Sequence, residues 1–295
     1  MDQASEAQSD HRPKAVGRDI EEGPQWRRSQ RPSLGLFGVG AFGAFAIPYL
    51  APFFDLHLHD AHRDTSDIAC RHGAKVADLA TAASRDILVI AVPFARISSL
   101  ASAIAAHVRP GALVVDVCSI KVKPLAILTE ALPADAEIVG IHPLFGPQSG
   151  RAGIRGLAAT VCPVRGRSGA AVVRFLRHRL GLAVRTMSAE SHDAQMAYVQ
   201  GLTHLLGRMV LAVAPPQRVQ GTSSFGHLMQ MVDTVRHDSD ELFHTITVEN
   251  PFVADVRSRL LDAAQRLCGP DQQPLDRRVQ DYAVGDIGLS PASSR

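Results

Sequence analysis

The chain has 295 residues, 31 Lys+Arg against 29 Asp+Glu for a formal net charge of +2, and 46% hydrophobic residues. That length supports two modest domains with a sizeable core, and the near-neutral balance excludes a protein built to grip nucleic acid or a charged membrane surface. Four cysteines (Cys70, Cys118, Cys162, Cys268) stand apart with no C-x-x-C pair, which suits reduced thiols in a cytoplasmic protein and excludes a disulfide framework or a zinc site.

Residues 1–32 are polar and aperiodic and read as a disordered tail. They lack the apolar core of a secretory signal, and no apolar run in the chain is long enough to cross a bilayer. Trp26 among Arg27, Arg28 and Arg31 is either a docking motif or part of a solvated tail, and the solvated reading is the simpler one.

Leu34 to Gly43 reads as a buried strand running into a glycine-rich turn and a helix. Gly38, Gly40 and Gly43 have the G-x-G-x-x-G spacing. The first glycine permits the tight turn, the second lets backbone approach a pyrophosphate, and the third lets the helix pack close to the strand. Gly38, Val39, Gly40, Ala41, Phe42 and Gly43 are therefore the candidate cofactor loop, with free N–H groups at the helix start for phosphate. A second strand, Phe54 to His59, ends in Asp60, about 20 residues past the first glycine, where a carboxylate takes the ribose hydroxyls of NAD. Asp60 as a loop acid or helix cap is the alternative, and Arg63 close by leaves NADP open.

The chain is polar from there through His72, and Lys75 to Leu79 suggests a short strand or helix edge. Ile87 to Pro93 is a continuous apolar run, a central parallel strand buried on both faces, whose end, Val92-Pro93, is a further cofactor contact. A helix follows over Ile97 to Val108, a strand over Ala112 to Cys118, a helix over Pro124 to Leu132 and a strand from Glu137 to Ile141. The last delivers His142-Pro-Leu-Phe-Gly-Pro-Gln-Ser-Gly150. Strand Ala158 to Val164, helix Ala170 to Leu180 and strand Ala183 to Met187 complete a doubly wound, mostly parallel α/β domain over residues 33–187. Chemistry in such sheets sits beyond the carboxyl ends of strands, where both Ser119 and His142 fall.

From Ser188 the chain is helical. A long run reaches Val213 and breaks at Pro215-Pro216. Helices follow over Ser224 to His237 and Asp240 to Ile246, and from Pro251 to Leu267. Residues 188–268 read as an all-helical domain, and residues 269–295 as a loose tail.

Three segments then carry a resemblance. The glycine turn is followed by Asp116-Val-Cys-Ser-Ile-Lys121, by the His142 to Gly150 segment, and by His192-Asp-Ala-Gln-Met-Ala-Tyr-Val-Gln-Gly-Leu-Thr-His204. In that order, over residues 33–250, they resemble the prephenate and arogenate dehydrogenases, the TyrA-type family. The resemblance implies a dinucleotide-binding domain followed by a helical dimerisation domain, a homodimer, and NAD as cofactor with no metal. It implies oxidative decarboxylation: hydride leaves C4 of a cyclohexadienyl ring, the ring carboxylate leaves as CO2, and the ring becomes aromatic.

The resemblance makes His142 the base that takes the proton from the C4 substituent, a task suited to imidazole near neutral pH. A histidine that merely caps the loop before Pro143 is the alternative. Ser119 matches the family serine that hydrogen-bonds the base and the C4 substituent, and as a helix N-cap it would be compatible with that role. Lys121 either meets a phosphate or carboxylate or is a solvated loop lysine. His204 lies on one helix face with Asp193, Ala197 and Gln200. By resemblance His204 faces the substrate near a carboxylate, with Gln200 beside it; a core histidine is the bland alternative. His192 and Asp193 read as mainly structural, with Asp193 favourable to the dipole of its own helix.

Prephenate-specific relatives carry arginines on the helix matching Phe225 to Val235. The matching positions here are Gly226 and Thr234, and Arg236 is off register. A pocket with less positive charge suits an analogue bearing an amine: arogenate, or 4-amino-4-deoxyprephenate with its amine at C4. The arginine- and alanine-rich make-up is similar to antibiotic-pathway members that form 4-aminophenylpyruvate, which makes the C4 amine the first expectation and prephenate or arogenate the alternative. β-Hydroxyacid dehydrogenases of similar architecture use a helix lysine, and no lysine follows Lys123.

Overall fold

A computed structural model describes residues 31–216 and 220–269. The expected N-terminal and C-terminal tails, with Trp26 and its arginines, lie almost wholly outside the described residues. The described residues from Pro32 onward belong to one compact unit.

Short runs rich in Val, Ile and Leu make an eight-stranded sheet. In chain order they are β1 (Ser33–Phe37), β2 (Asp55–His59), β3 (Lys75–Val76), β4 (Ile87–Ile90), β5 (Leu113–Asp116), β6 (Glu137–Pro143), β7 (Ala158–Arg165) and β8 (Ala183–Thr186). Their order across the sheet is β3-β2-β1-β4-β5-β6-β7-β8. All neighbours are parallel except β6 and β7. The expected Rossmann-type sheet is present, and the winding reverses between β1 and β4, where ligands of such sheets sit.

Side chains alternate between two helical layers, as period two requires. Leu34 and Leu36 of β1, Val89 of β4, Val115 of β5 and Ile141 of β6 pack with α1 (Ala41–Leu50) and α6 (Gly169–His178). Phe37, Leu88, Ile90, Val114 and Ile138 pack on the other face with α3 (Leu79–Ala83), α4 (Phe94–Ile104) and α5 (Val122–Ala131). Two short helices escaped the sequence pattern. One is α2 (Ser66–His72), closed by Gly73 in the left-handed region at φ 63°. The other is α3, capped by Asp78, which accepts the Thr81 N–H. Five to seven residues give too few turns for a periodic signal.

Beyond the sheet the described chain is helical: α7 (Ala189–Met196), α8 (Thr203–Val213), α9 (Ser223–Val235), α10 (Asp240–His244) and α11 (Val253–Cys268). The long run expected from Ser188 to Val213 exists, but a π-helical turn over Ala197–Leu202 divides it. A second π-turn follows α10 at Thr245–Glu249. The first packs tightly on α11: a Cβ at Gly201 would lie 2.7 Å from Val253 Cγ2. Among the described residues no helix is long and apolar enough to cross a membrane.

Candidate active site

The glycine turn joins β1 to α1. Gly38 has φ +92°, a left-handed conformation open to glycine, and a Cβ there would strike the Ala91 carbonyl at 2.6 Å. A Cβ on Gly43 would lie 2.0 Å from the Gly38 carbonyl oxygen, so helix and turn touch through bare backbone. A Cβ on Gly40 would meet nothing within 4 Å. Gly40 is the N-cap of α1, makes no side-chain cap, and leaves the first turn without an acidic residue. The helix start therefore presents N–H groups and a positive dipole end to open space, the chemistry that holds a pyrophosphate.

Asp60 closes this loop from the end of β2. One carboxylate oxygen accepts the Val39 N–H at 2.8 Å; the other accepts the N–H groups of His62 at 2.9 Å and Arg63 at 3.0 Å. Burial pushes the carboxyl up, but these donors and the Arg63 charge outweigh it and hold it below the usual range. Asp60 is thus the loop acid of the second sequence alternative, bracing the glycine turn. Val92 adjoins the turn, its Cγ1 3.1 Å from where a Gly38 Cβ would be, and Pro93 is the N-cap of α4.

The neighbouring strand ends carry the buried titratable side chains. His142 is the penultimate residue of β6, paired with Thr160 of β7 and 3% exposed. Burial first, then the proximity of His192 and Lys121, drives its pKa well below the usual 6.5. Its Nδ1 lies 2.8 Å from His192 Nε2, with the rings edge to face. His192 Nδ1 lies 2.7 Å from Asp193 Oδ1. Both residues are fully buried. Asp193 also accepts the N–H of Lys121 at 2.8 Å and of Val122 at 2.9 Å.

The structure adds to one sequence reading and corrects another. His192, read as mainly structural, also hydrogen-bonds the candidate base. Asp193 complements a helix dipole, but that of α5 across the fold, not that of its own helix. The His192-Asp193 pair of the sequence segment was the available signal; its partner on β6 was not.

Lys121 is corrected as well. It is neither solvated nor free for phosphate. Its ammonium is fully buried, ion-paired with Asp116, and donates to the Ile141 carbonyl at 2.9 Å. Burial pushes the Asp116 carboxyl up against the pull of that ammonium. Burial likewise pushes the Cys118 thiol up to about 12, so it stays protonated.

Ser119 sits half-buried in the β5–α5 loop. The expected hydrogen bond from Ser119 to the base is not formed; the base is instead held at Nδ1 by His192. Nor is Ser119 the N-cap of α5, a place held by Lys121.

His204, on α8, is buried with both ring nitrogens engaged: Nδ1 lies 2.8 Å from the Gln200 carbonyl and Nε2 3.1 Å from Asp238. It ties α8 to the segment after α9, which is closer to the core-histidine alternative than to a free substrate ligand. Gln200, in the π-turn, differs. Its side-chain Oε1 is buried and unpaired, one of two such side-chain atoms among the described residues; the other is Arg257 Nε on α11. A buried acceptor without a partner is costly unless a ligand supplies one, and π-turns recur at functional sites. Arg257 carried no sequence signal. Arg236 pairs with Asp233 at 3.3 Å and borders a groove of about 610 Å³ between α8 and α9, with Gly226 on its wall.

Residues 52–157 match the family described as prephenate dehydrogenase, nucleotide-binding domain. Arogenate dehydrogenase 2, chloroplastic, of Arabidopsis thaliana is 30% identical over 250 residues, covering 80% of this chain and 69% of that protein. The 4-amino-4-deoxyprephenate dehydrogenase of Streptomyces pristinaespiralis is 28% identical over 196 residues, 62% of each chain. Prephenate dehydrogenase of Aquifex aeolicus, solved with hydroxyphenyl propionate and NAD+, has the same fold: TM-score 0.64 at 17% identity, over 85% of this chain and 92% of that one.

Proposed function

We infer the function of this chain from one premise: it belongs to the prephenate/arogenate dehydrogenase family, with 30% identity to the plant relative across 80% of its own length. On that premise it is an NAD-dependent oxidoreductase, and we propose that it oxidatively decarboxylates a cyclohexadienyl substrate bearing an amine. The expected first substrate is 4-amino-4-deoxyprephenate, giving 4-aminophenylpyruvate and CO2 in antibiotic biosynthesis. Arogenate is the second reading, favoured by the plant relative.

The bare Gly40 backbone, the open α1 N-terminus and Asp60 fit a dinucleotide. NAD bound there supplies the hydride acceptor. Asp60 meets the ribose hydroxyls and disfavours a 2′-phosphate by like charge. His142 takes the proton from the C4 substituent at Nε2, the ring nitrogen that His192 leaves free. Low exposure holds His142 neutral and ready to accept at neutral pH. In this reading Ser119, half-buried beyond the adjacent strand end, hydrogen-bonds the C4 substituent. Gln200 Oε1 is an acceptor in search of a donor, which a substrate ammonium provides and a second carboxylate does not.

The buried His142 at the carboxyl end of β6 is the observation that carries this reading. In the same proposal residues 33–187 bind the dinucleotide and residues 188–268 close over the substrate. Exposed Met209, Val213 and Leu228 beside the α8–α9 groove pair in a cytoplasmic homodimer. The deciding experiment offers the purified protein NAD with prephenate, arogenate or 4-amino-4-deoxyprephenate, following reduced cofactor. Turnover of an amine-bearing substrate in clear preference to prephenate is expected. Preference for prephenate overturns the substrate assignment, and no turnover of any of them overturns the function.

A further inference from the structure

We propose that His192 and Asp193 are positioning residues for His142: together they fix the tautomer in which His142 Nε2 is a bare acceptor facing the substrate. The proposal rests on the reading of His142 as the base.

Asp193 fixes the direction of every hydrogen bond in the chain. Its carboxylate already accepts backbone N–H groups from Lys121 and Val122 at the start of α5. Those donors and the helix dipole stabilise it as an anion, and an anion only accepts. The hydrogen between Asp193 Oδ1 and His192 Nδ1, 2.7 Å apart, therefore belongs to His192. His192 in its neutral form then offers a lone pair at Nε2. His142 Nδ1, 2.8 Å away, must carry the hydrogen of that contact. What remains for His142 Nε2 is a lone pair. The opposite arrangement, with His192 doubly protonated, puts a hydrogen on His142 Nε2 and silences the base.

The surroundings admit this assignment. Lys121 and Asp116 are both fully buried and paired with each other, and what the ammonium still exerts on His142 opposes a second proton there. Asp193 is the remaining charged side chain in contact with them, and its charge is shared with the α5 N-terminus. When the N–H or O–H bond of the C4 substituent breaks, its proton forms the Nε2–H bond of His142 while the hydride leaves C4 for NAD. The imidazolium so formed keeps its Nδ1–H directed at His192, toward Asp193. Tautomer and orientation control through a buried acid is an established catalytic device; here an extra imidazole stands between acid and base. Neither His192 nor Asp193 needs to touch substrate.

The test uses the full chain labelled with 15N-histidine, with His142 assigned from the spectrum of His142→Asn. The wild-type protein is expected to show the Nδ1–H tautomer at His142. His192→Gln keeps an acceptor oxygen near the place of the lost Nε2, whereas His192→Phe keeps none. His192→Phe should lower kcat on the order of 100-fold and lose the single tautomer, with KM and NAD affinity little changed. His192→Gln should recover most of both readouts. An Nε2–H tautomer in the wild type overturns the proposal, as does wild-type kcat in His192→Phe. So does a kcat loss matched by equal losses in NAD affinity and melting temperature, which marks a role in the fold alone. If the wild type turns over none of the substrates, the functional reading falls while the tautomer measurement still decides this one.

Discussion

The carboxylate of Asp193 accepts the backbone N–H of Val122 at 2.9 Å, 71 residues away in the chain. A side chain of α7 thereby caps a helix laid on the sheet, and the same carboxylate anchors His192 against the candidate base. Asp193→Ala strips the acceptor from three donors at once, two of them buried and the third half-buried. The expected loss is about 2–4 kcal/mol of stability, from unsatisfied buried donors plus a lost cap. Urea unfolding measures it, and a loss under about 0.5 kcal/mol would show that water replaces the carboxylate freely.

The glycines of the turn should separate into structural and ligand-facing positions. Gly43→Ala places a Cβ 2.0 Å from backbone, so both melting temperature and NAD affinity should fall. Gly40→Ala has room and a φ of −73°, so the fold should be untouched while the pyrophosphate is crowded. Calorimetry with NAD and a thermal melt distinguish the two; equal melting losses would refute the division.

On the proposed reading, Asp60→Ser removes the charge that would disfavour a 2′-phosphate. The ratio of kcat/KM for NAD over NADP should fall at least tenfold, which is about 1.4 kcal/mol of discrimination. An unchanged ratio would place cofactor choice elsewhere.

His142 is buried with its pKa pushed well below 6.5, so it is neutral in the fold and protonates more readily when unfolded. Below about pH 6.5 the unfolded chain binds the extra proton, and stability falls by up to about 1.4 kcal/mol per pH unit until the folded group also titrates. The contribution is fully present above 6.5. Urea midpoints from pH 5 to 8 for the wild type and His142→Asn should converge at low pH; parallel curves would contradict the buried neutral imidazole. Turnover of His142→Asn should fall by about 10²- to 10⁴-fold with NAD affinity retained.

Lys121→Met leaves the Asp116 carboxylate buried without its cation. Breaking such a pair from one side costs about 3–5 kcal/mol. The double variant Lys121→Met with Asp116→Leu should recover part of it. A mild single variant would mean that water reaches Asp116.

Much of this protein can be read without coordinates because its signals are local. The G-x-G-x-x-G turn, the runs Ile87–Ile90 and Leu113–Asp116, and the His142-Pro pair each announce themselves within a few residues, since strand burial and turn geometry act at that range. Asp60 follows by spacing. The π-turn at Ala197–Leu202 was hidden because one extra residue per turn leaves an apolar face almost intact in sequence. The roles of Lys121, His192 and Asp193 were hidden for a different reason. A lysine beside a glycine-poor loop looks the same whether solvated or buried, and a His-Asp pair at a helix start looks like a cap. Only the fold sets Asp116 within reach of one and β6 within reach of the other. Local pattern determined which strands form and where the glycine turn lies; contact between segments dozens of residues apart brought His192 and Asp193 to His142, because burial and hydrogen-bond partners belong to neighbours in space, not in sequence.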